Sequence, residues 1–258
     1  MLDLQEIMNC THGTLIQGEF EQSIDFVHFD SRKIEPNALF IALPGNQVDG
    51  HHFIHAAKQN GAICALISRT DFSFEGLEDI SLIRVENTEQ ALQKLAAYYR
   101  QKLTIPIIGI TGSNGKTTTK DMVTQLLSAK YQVYKTEGNL NNHLGLPLSL
   151  LQIKKHHTAA VLEMGMSQLG EIDFLANIAK PSISIITNIG DSHIEFLGSR
   201  DNIAKAKGEI LPHTDPEQFI LLNKDDPTHP LTYQGFMQEK STILALNQLL
   251  MSMPLRFK

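Results

Sequence analysis

Cysteine is scarce. Cys10 and Cys64 are the only two in 258 residues, too few for a disulfide framework or a cysteine-built zinc site, and this usage fits a reducing cytoplasm. Basic residues are not in excess either. A formal net charge of -6 leaves no broad field for a phosphate backbone, so a nucleic-acid partner is not expected, although a local anion site is compatible with it. No apolar run is long enough to span a bilayer, and residues 1–10 carry Asp3 and Glu6 where a signal segment would carry a basic stretch, so no membrane insertion is expected. What is present is ample material for a core: 42% of the residues are hydrophobic, enough for one large domain or two smaller ones.

The patterning favours two. Up to residue 85 the apolar runs are short and divided by turn residues, predicting strands over 24–29, 39–43, 63–67 and 82–85 and one helix between about 51 and 60. These residues predict a small α/β domain over 1–84. Asn87 or Thr88 caps a helix to residue 100, so 85–104 reads as a linking helix and passage. From residue 105 the order becomes strand, loop, helix, repeated, with near-continuous apolar strands over 105–110, 159–163, 183–187 and 219–222. That pattern predicts a parallel sheet covered on both faces over 105–258, with ligands at the carboxyl ends of its strands. Near the end, Ser241 can cap a helix whose Ile243, Leu246, Leu249 and Leu250 form an apolar stripe.

One of those strand ends runs into Thr111-Gly112-Ser113-Asn114-Gly115-Lys116-Thr117-Thr118, and a helix follows at once. Glycines let backbone amides close on phosphate oxygens, the helix start favours anions, Lys116 reaches the terminal phosphates and Thr117 can ligate magnesium. Gly112, Ser113, Asn114, Gly115, Lys116, Thr117 and Thr118 are therefore the candidate nucleotide loop. Ile110 stands where the longer form of this motif has glycine, so the form here is Thr-Gly-x-x-Gly-Lys-Thr. Asn223-Lys224-Asp225-Asp226 matches the guanine-reading motif of GTPases, which makes a GTPase the distant alternative. It lacks the companion Asp-x-x-Gly segment anywhere in the chain.

Three further strand-end loops carry polar groups: residues 136–142, 163–172 and 187–199. Glu163 ends its strand and can hold a cation beside Thr117. Taken alone, Glu163 also fits a solvated strand-end carboxylate, His193 a loop histidine and Lys207 a surface lysine. No Ser/His/Asp or Cys/His nucleophile arrangement stands out.

Together, the Glu163-Met-Gly-Met-Ser-x-x-Gly-Glu-Ile172 and Thr187-Asn-Ile-Gly-x-x-His-x-Glu-x-x-Gly-Ser199 strings and the phosphate loop resemble the Mur ligase family, and within it the member that adds D-alanyl-D-alanine. The resemblance runs to about Asp226. It implies a small substrate-binding α/β domain followed by a P-loop ATPase-type parallel-sheet domain. It also implies ATP on Lys116, one Mg²⁺ on Thr117 and Glu163, and a second on His193. Lys207 would be the family's carbamylated lysine, with Lys205 the neighbour that could be confused with it. Asn139 would lie near the substrate, and Asn142 and Asn188 are weaker candidates for that surface. In the first domain the resemblance implies uridine or diphosphate contacts from Ser31 and Arg32, and from His51. The implied substrates are UDP-N-acetylmuramoyl-tripeptide and D-alanyl-D-alanine, joined through an acyl phosphate by a monomer. The family's carboxy-terminal machinery is not in the sequence, so the chain is expected to be incomplete for catalysis, and a non-catalytic UDP-sugar-peptide and nucleotide-binding fragment is the alternative.

Overall fold

The computed structural model describes residues 2–19, 21–45, 48–228 and 242–245. Its elements, in chain order, begin with β1 (Leu2–Asp3), α1 (Leu4–Thr11), β2 (Thr14–Gln17), β3 (Ser23–Ile24), β4 (Phe26–His28), β5 (Ala38–Ile41), α2 (Ile54–Gln59), β6 (Ala62–Ile67), β7 (Ser81–Arg84) and α3 (Thr88–Lys102). They continue with β8 (Ile107–Thr111), α4 (Lys116–Leu127), β9 (Val133–Lys135), α5 (Gly145–Leu151), β10 (Ala159–Glu163), α6 (Glu171–Ala179), β11 (Ile183–Ile186), α7 (Ile194–Leu197), α8 (Arg200–Gly208), β12 (Phe219–Leu222) and β13 (Thr242–Ala245). Two compact units result: Met1–Lys102 with Leu150–Lys154, and Leu103–Ser149 with Lys155–Lys258.

The first unit is built on a five-stranded sheet of order β2-β7-β6-β5-β4. Its four strands from β4 to β7 run parallel, and β2 closes the edge antiparallel to β7. Phe40, Ala42, Ile54, Ala57, Ala65, Ile67 and Leu82 form a buried core cluster in this unit, where removal of apolar area from water supplies the main driving force. α3 belongs to this unit and packs on α1. Asn87 caps it as its sequence suggests, its side-chain oxygen accepting the Gln90 amide at 2.9 Å. The segment Leu150–Lys154 also belongs here, with Gln152 donating to the Val27 carbonyl at 2.6 Å.

The second unit is a six-stranded, all-parallel sheet of order β13-β12-β11-β8-β10-β9. Every strand therefore ends on the same edge. β8 lies between β10 and β11, so the chain winds away from it in both directions and its carboxyl end sits at the switch in strand order, where open α/β sheets bind ligands. On one face Ile108, Ile110, Val161 and Ile185 pack with Val123 and Leu127 of α4.

The strand at Thr242–Ala245 corrects the helix expected from Ser241. Those four residues pair in parallel register with β12, because the β12 edge offers unpaired backbone groups and Thr-Ile-Leu suits a strand. The remainder of that expected stripe, Leu246, Leu249 and Leu250, lies outside the described residues.

Candidate nucleotide and metal site

β8 delivers Thr111 into a tight loop and α4 leaves it at Lys116. Gly112 has φ +147 and a Cβ there would collide with Thr187, so only glycine fits; Gly115, at φ +77, precedes the first helical residue. The first turn of α4 carries amides with no intrahelical carbonyl to bond, the feature that suits a helix start to phosphate. Lys116 is half-buried and its Nζ donates to the carbonyls of Gly112 at 2.8 Å and Ser113 at 3.3 Å. Burial lowers its pKa, with the Glu163 charge opposing. Thr117 and Thr118 are exposed.

Glu163 closes the site from β10. It is 3% exposed, and a buried carboxylate is costly unless each oxygen has a partner. Thr117 Oγ1 donates to Oε2 at 2.9 Å, Asn141 Nδ2 donates to Oε1 at 2.9 Å, and Lys120 Nζ stands 4.0 Å from Oε2. The Glu163 amide donates to Thr136 Oγ1 at 3.0 Å. A carboxylate and a hydroxyl in contact are hard oxygen donors, the set that Mg²⁺ takes while keeping most of its shell for water and phosphate. The residues fit that ion.

The loop after β11 holds the phosphate loop in shape. Asn188 Oδ1 accepts the Asn114 amide and its Nδ2 donates to the Asn114 carbonyl, both at 3.0 Å. The Ser113 amide donates to the Asn188 carbonyl at 3.0 Å, and the Gly190 amide to Ser113 Oγ at 2.8 Å. Asn188, expected at the substrate surface, thus has its carboxamide committed to the nucleotide loop. Asp226 anchors this loop in turn: it is buried, accepts the Ile189 amide on Oδ2 and the Thr228 amide on Oδ1. Burial raises its pKa, but these hydrogen bonds prevail and lower it. The aspartate of the guanine-like motif is therefore turned into the protein. His193 lies on the same loop, half-buried with φ +64, its ring 6.5 Å from that of Phe196.

Lys207 and Lys205 differ in burial. Lys207 is 2% exposed on α8, whereas Lys205 faces solvent. Burial, with the positive charge of Lys116 adding to it, lowers the Lys207 pKa to about 7. Asn139 is exposed, and Asn142 caps α5, its Oδ1 accepting the Gly145 amide at 2.8 Å. Neither touches Glu163, a role that falls to Asn141 between them.

In the first unit, the buried Ser31 opens a short helical turn capped by Asp30, and the exposed Arg32 bonds the same carboxylate through Nε and Nη2. The Arg32 hydrogen bonds hold Asp30 at about 2. The turn hangs on His28, whose buried Nδ1 accepts the Asp30 amide at 2.8 Å. His51 corrects its expectation. Its ring is 2% exposed, Nε2 accepts the Ser68 amide at 3.0 Å and Nδ1 bonds Asp49. Because a backbone amide only donates, the Nδ1 proton belongs to the Asp49 bond, and no ring nitrogen is left for a ligand. Asp49 feels burial that raises its pKa, yet the His51 and Arg69 bonds hold it at about 2.

Asn141, Lys120 and His28 escaped sequence reasoning, and Asp226 was read only as part of a guanine-type motif, not as the anchor of the loop after β11. Lys120 had one available signal, its place one helical turn after Lys116. Asn141 sits inside a polar string where periodicity cannot say which of several asparagines turns inward.

An all-parallel sheet with a phosphate loop at its central strand, a magnesium-type oxygen pair beside it and a buried lysine behind defines a P-loop nucleotide-binding domain. Residues 110–246 match the Mur ligase middle domain and residues 23–100 the catalytic domain of the Mur ligase family, and the chain belongs to that family. It is 44% identical over 225 residues to the UDP-N-acetylmuramoyl-tripeptide--D-alanyl-D-alanine ligase of Bacillus subtilis, covering 87% of this chain and 49% of that protein. Its fold is similar to the crystal structure of MurF from Acinetobacter baumannii, with a TM-score of 0.83 at 33% identity over 94% of this chain and 52% of that one. The MurF ligase of Thermotoga maritima, solved in complex with ADP, gives a TM-score of 0.72 at 33% identity over 85% of this chain and 49% of that one. The chain spans about half the length of the relatives it matches.

Proposed function

We propose that this chain supplies the nucleotide-handling and UDP-substrate-handling parts of a ligase that joins D-alanyl-D-alanine to UDP-N-acetylmuramoyl-tripeptide at the expense of ATP. The observation that carries the reading is the meeting of Lys116 with the Thr117–Glu163 pair at one phosphate loop, with buried Lys207 within electrostatic reach of Lys116, in a chain 44% identical to such a ligase. In the first step the tripeptide carboxylate attacks the γ-phosphorus of ATP. A P–O bond forms, the bond to the β-bridging oxygen breaks, and ADP leaves with that electron pair. The D-alanyl-D-alanine amine then displaces phosphate from the acyl carbon.

Two anions meet in the first step, so the protein's task is to neutralise and position charge. Lys116 trades its loop carbonyls for phosphate oxygens. Thr117 and Glu163 hold Mg²⁺, which when bound polarises the phosphate and offsets its charge. His193 is proposed as a ligand to a second Mg²⁺. Lys207 is proposed to carry a carbamate: a neutral amine adds to CO₂ and releases one proton, and a pKa near 7 gives a substantial neutral fraction where an ordinary lysine has almost none. Ser31 and Arg32 are proposed to face the UDP moiety, and Asn139 the tripeptide end, because their side chains lie on strand-end loops; the His51 ring instead fixes one such loop. A cytoplasmic setting and a monomeric state belong to the same reading. Among the described residues no helix is long and apolar enough to cross a membrane.

Hydroxylamine trapping tests this reading. Chain incubated with ATP, Mg²⁺, UDP-N-acetylmuramoyl-tripeptide and hydroxylamine should yield the tripeptide hydroxamate by mass spectrometry, dependent on Lys116. Calorimetry against the same tripeptide should show binding that Arg32→Ala weakens. No binding of the tripeptide, with nucleotide binding intact, contradicts the substrate assignment.

A further inference from the structure

We infer that Asn141 is a positioning residue for the metal–nucleotide site: it selects which oxygen of Glu163 faces Thr117. This rests on the nucleotide reading above. A glutamate carboxylate has two chemically equivalent oxygens and a soft terminal torsion, so a buried Glu163 needs something to set its plane. The Asn141 amide group does so by donating to Oε1 at 2.9 Å, which leaves Oε2 to Thr117 Oγ1 at 2.9 Å and to the Lys120 ammonium at 4.0 Å. The carboxylate only accepts, so the group Asn141 turns towards it is its NH₂.

Asn141 is itself built in. Its backbone carbonyl accepts the Gly165 amide at 2.9 Å and its own amide donates to the Asn139 carbonyl at 2.8 Å. Gly165 leaves room for it: a Cβ at that position would lie 3.1 to 3.2 Å from three atoms of the Asn141 carboxamide. The glycine two residues after Glu163 is thus explained by the carboxamide packed on it. Partners that orient a metal ligand commonly set affinity by 10- to 100-fold.

The test is calorimetry of ADP, with Mg²⁺ and with EDTA, on the chain and on Asn141→Ala, Glu163→Gln and the double variant. The gain in ADP affinity that Mg²⁺ confers should fall on the order of tenfold in Asn141→Ala, while the affinity in EDTA stays within about twofold, which also reports an intact fold. In the double variant Asn141→Ala should add nothing to Glu163→Gln, because it acts through that carboxylate. An unchanged Mg²⁺ gain in Asn141→Ala, or a loss that adds in full to that of Glu163→Gln, overturns the inference. A parent chain that binds ADP equally with and without Mg²⁺ overturns the metal reading and this inference together.

Discussion

Thr117 Oγ1 lies 2.9 Å from Glu163 Oε2, although 46 positions separate the two residues in the chain. One comes from the first turn of α4 and the other from the end of β10, and the parallel pairing of β10 with β8 brings them together. Thr117→Ala is therefore expected to weaken Mn²⁺ binding in the presence of ADP by roughly 10- to 100-fold, and Thr117→Ser to keep most of it. Electron paramagnetic resonance of the bound Mn²⁺ reads both. Equal loss in the serine and alanine variants would remove the hydroxyl from the site.

Lys207 gives stability a pH dependence of defined sign. Its folded pKa of about 7 lies below the unfolded value of 10.5, so between those values the unfolded chain binds more protons and stability rises with pH. The contribution is absent below pH 7 and grows to at most on the order of 4 kcal/mol near pH 10. Urea melts of the chain and of Lys207→Met across this window should show a more positive slope in the parent than in the variant. Bicarbonate should flatten it and bring a carbamate signal in carbon-13 NMR that Lys207→Met lacks.

His28 does the same at acid pH. Burial and the nearby Lys33 charge depress its pKa from 6.5 to about 4, so its contribution is fully present above pH 6.5 and is lost as pH falls towards 4. Protonation also ends its acceptance of the Asp30 amide, which should loosen the turn carrying Ser31 and Arg32. About 3 kcal/mol is at stake, and His28→Phe should show a shallower acid slope than the parent in denaturant melts.

Asp226 separates the rival nucleotide readings. Asp226→Ala leaves the Ile189 amide buried without its acceptor, a cost of about 1 to 3 kcal/mol. A thermal melt should show that loss while the ratio of ATP to GTP affinity stays as in the parent. A ratio that moves on substitution would show the carboxylate reading a base.

Much of this was legible from the residues. Apolar runs at 159–163 and 219–222 became β10 and β12 with those bounds; β10 is buried on both faces and so has no polar position to blur its pattern, whereas β12 is read from its unbroken apolar run although Phe219 is exposed. The phosphate loop was legible for a local reason: positive φ favours glycine, and at Gly112 a Cβ would collide with Thr187. β2 and α1 were not read, since Thr14–Gln17 is partly exposed and its place is set by pairing with β7, a partner some 70 residues away. The site divides in the same way. Lys116 announces itself by its place in the glycine loop at the start of α4 and Glu163 by its place at a strand end, whereas the burial of Lys120 and Lys207, the inward turn of Asn141 and Asp226, and the closure of both His51 nitrogens depend on tertiary packing.

The central claim is that Lys116, Thr117 and Glu163 form an ATP site that uses magnesium. Calorimetry of ATP and GTP against the chain and against Lys116→Ala, with Mg²⁺ and with EDTA, tests it most directly. ATP should bind at least about tenfold more tightly than GTP, a margin of about 1.4 kcal/mol, with an affinity that Mg²⁺ raises and Lys116→Ala removes. A preference for GTP, or ATP binding indifferent to both Mg²⁺ and Lys116, would contradict it.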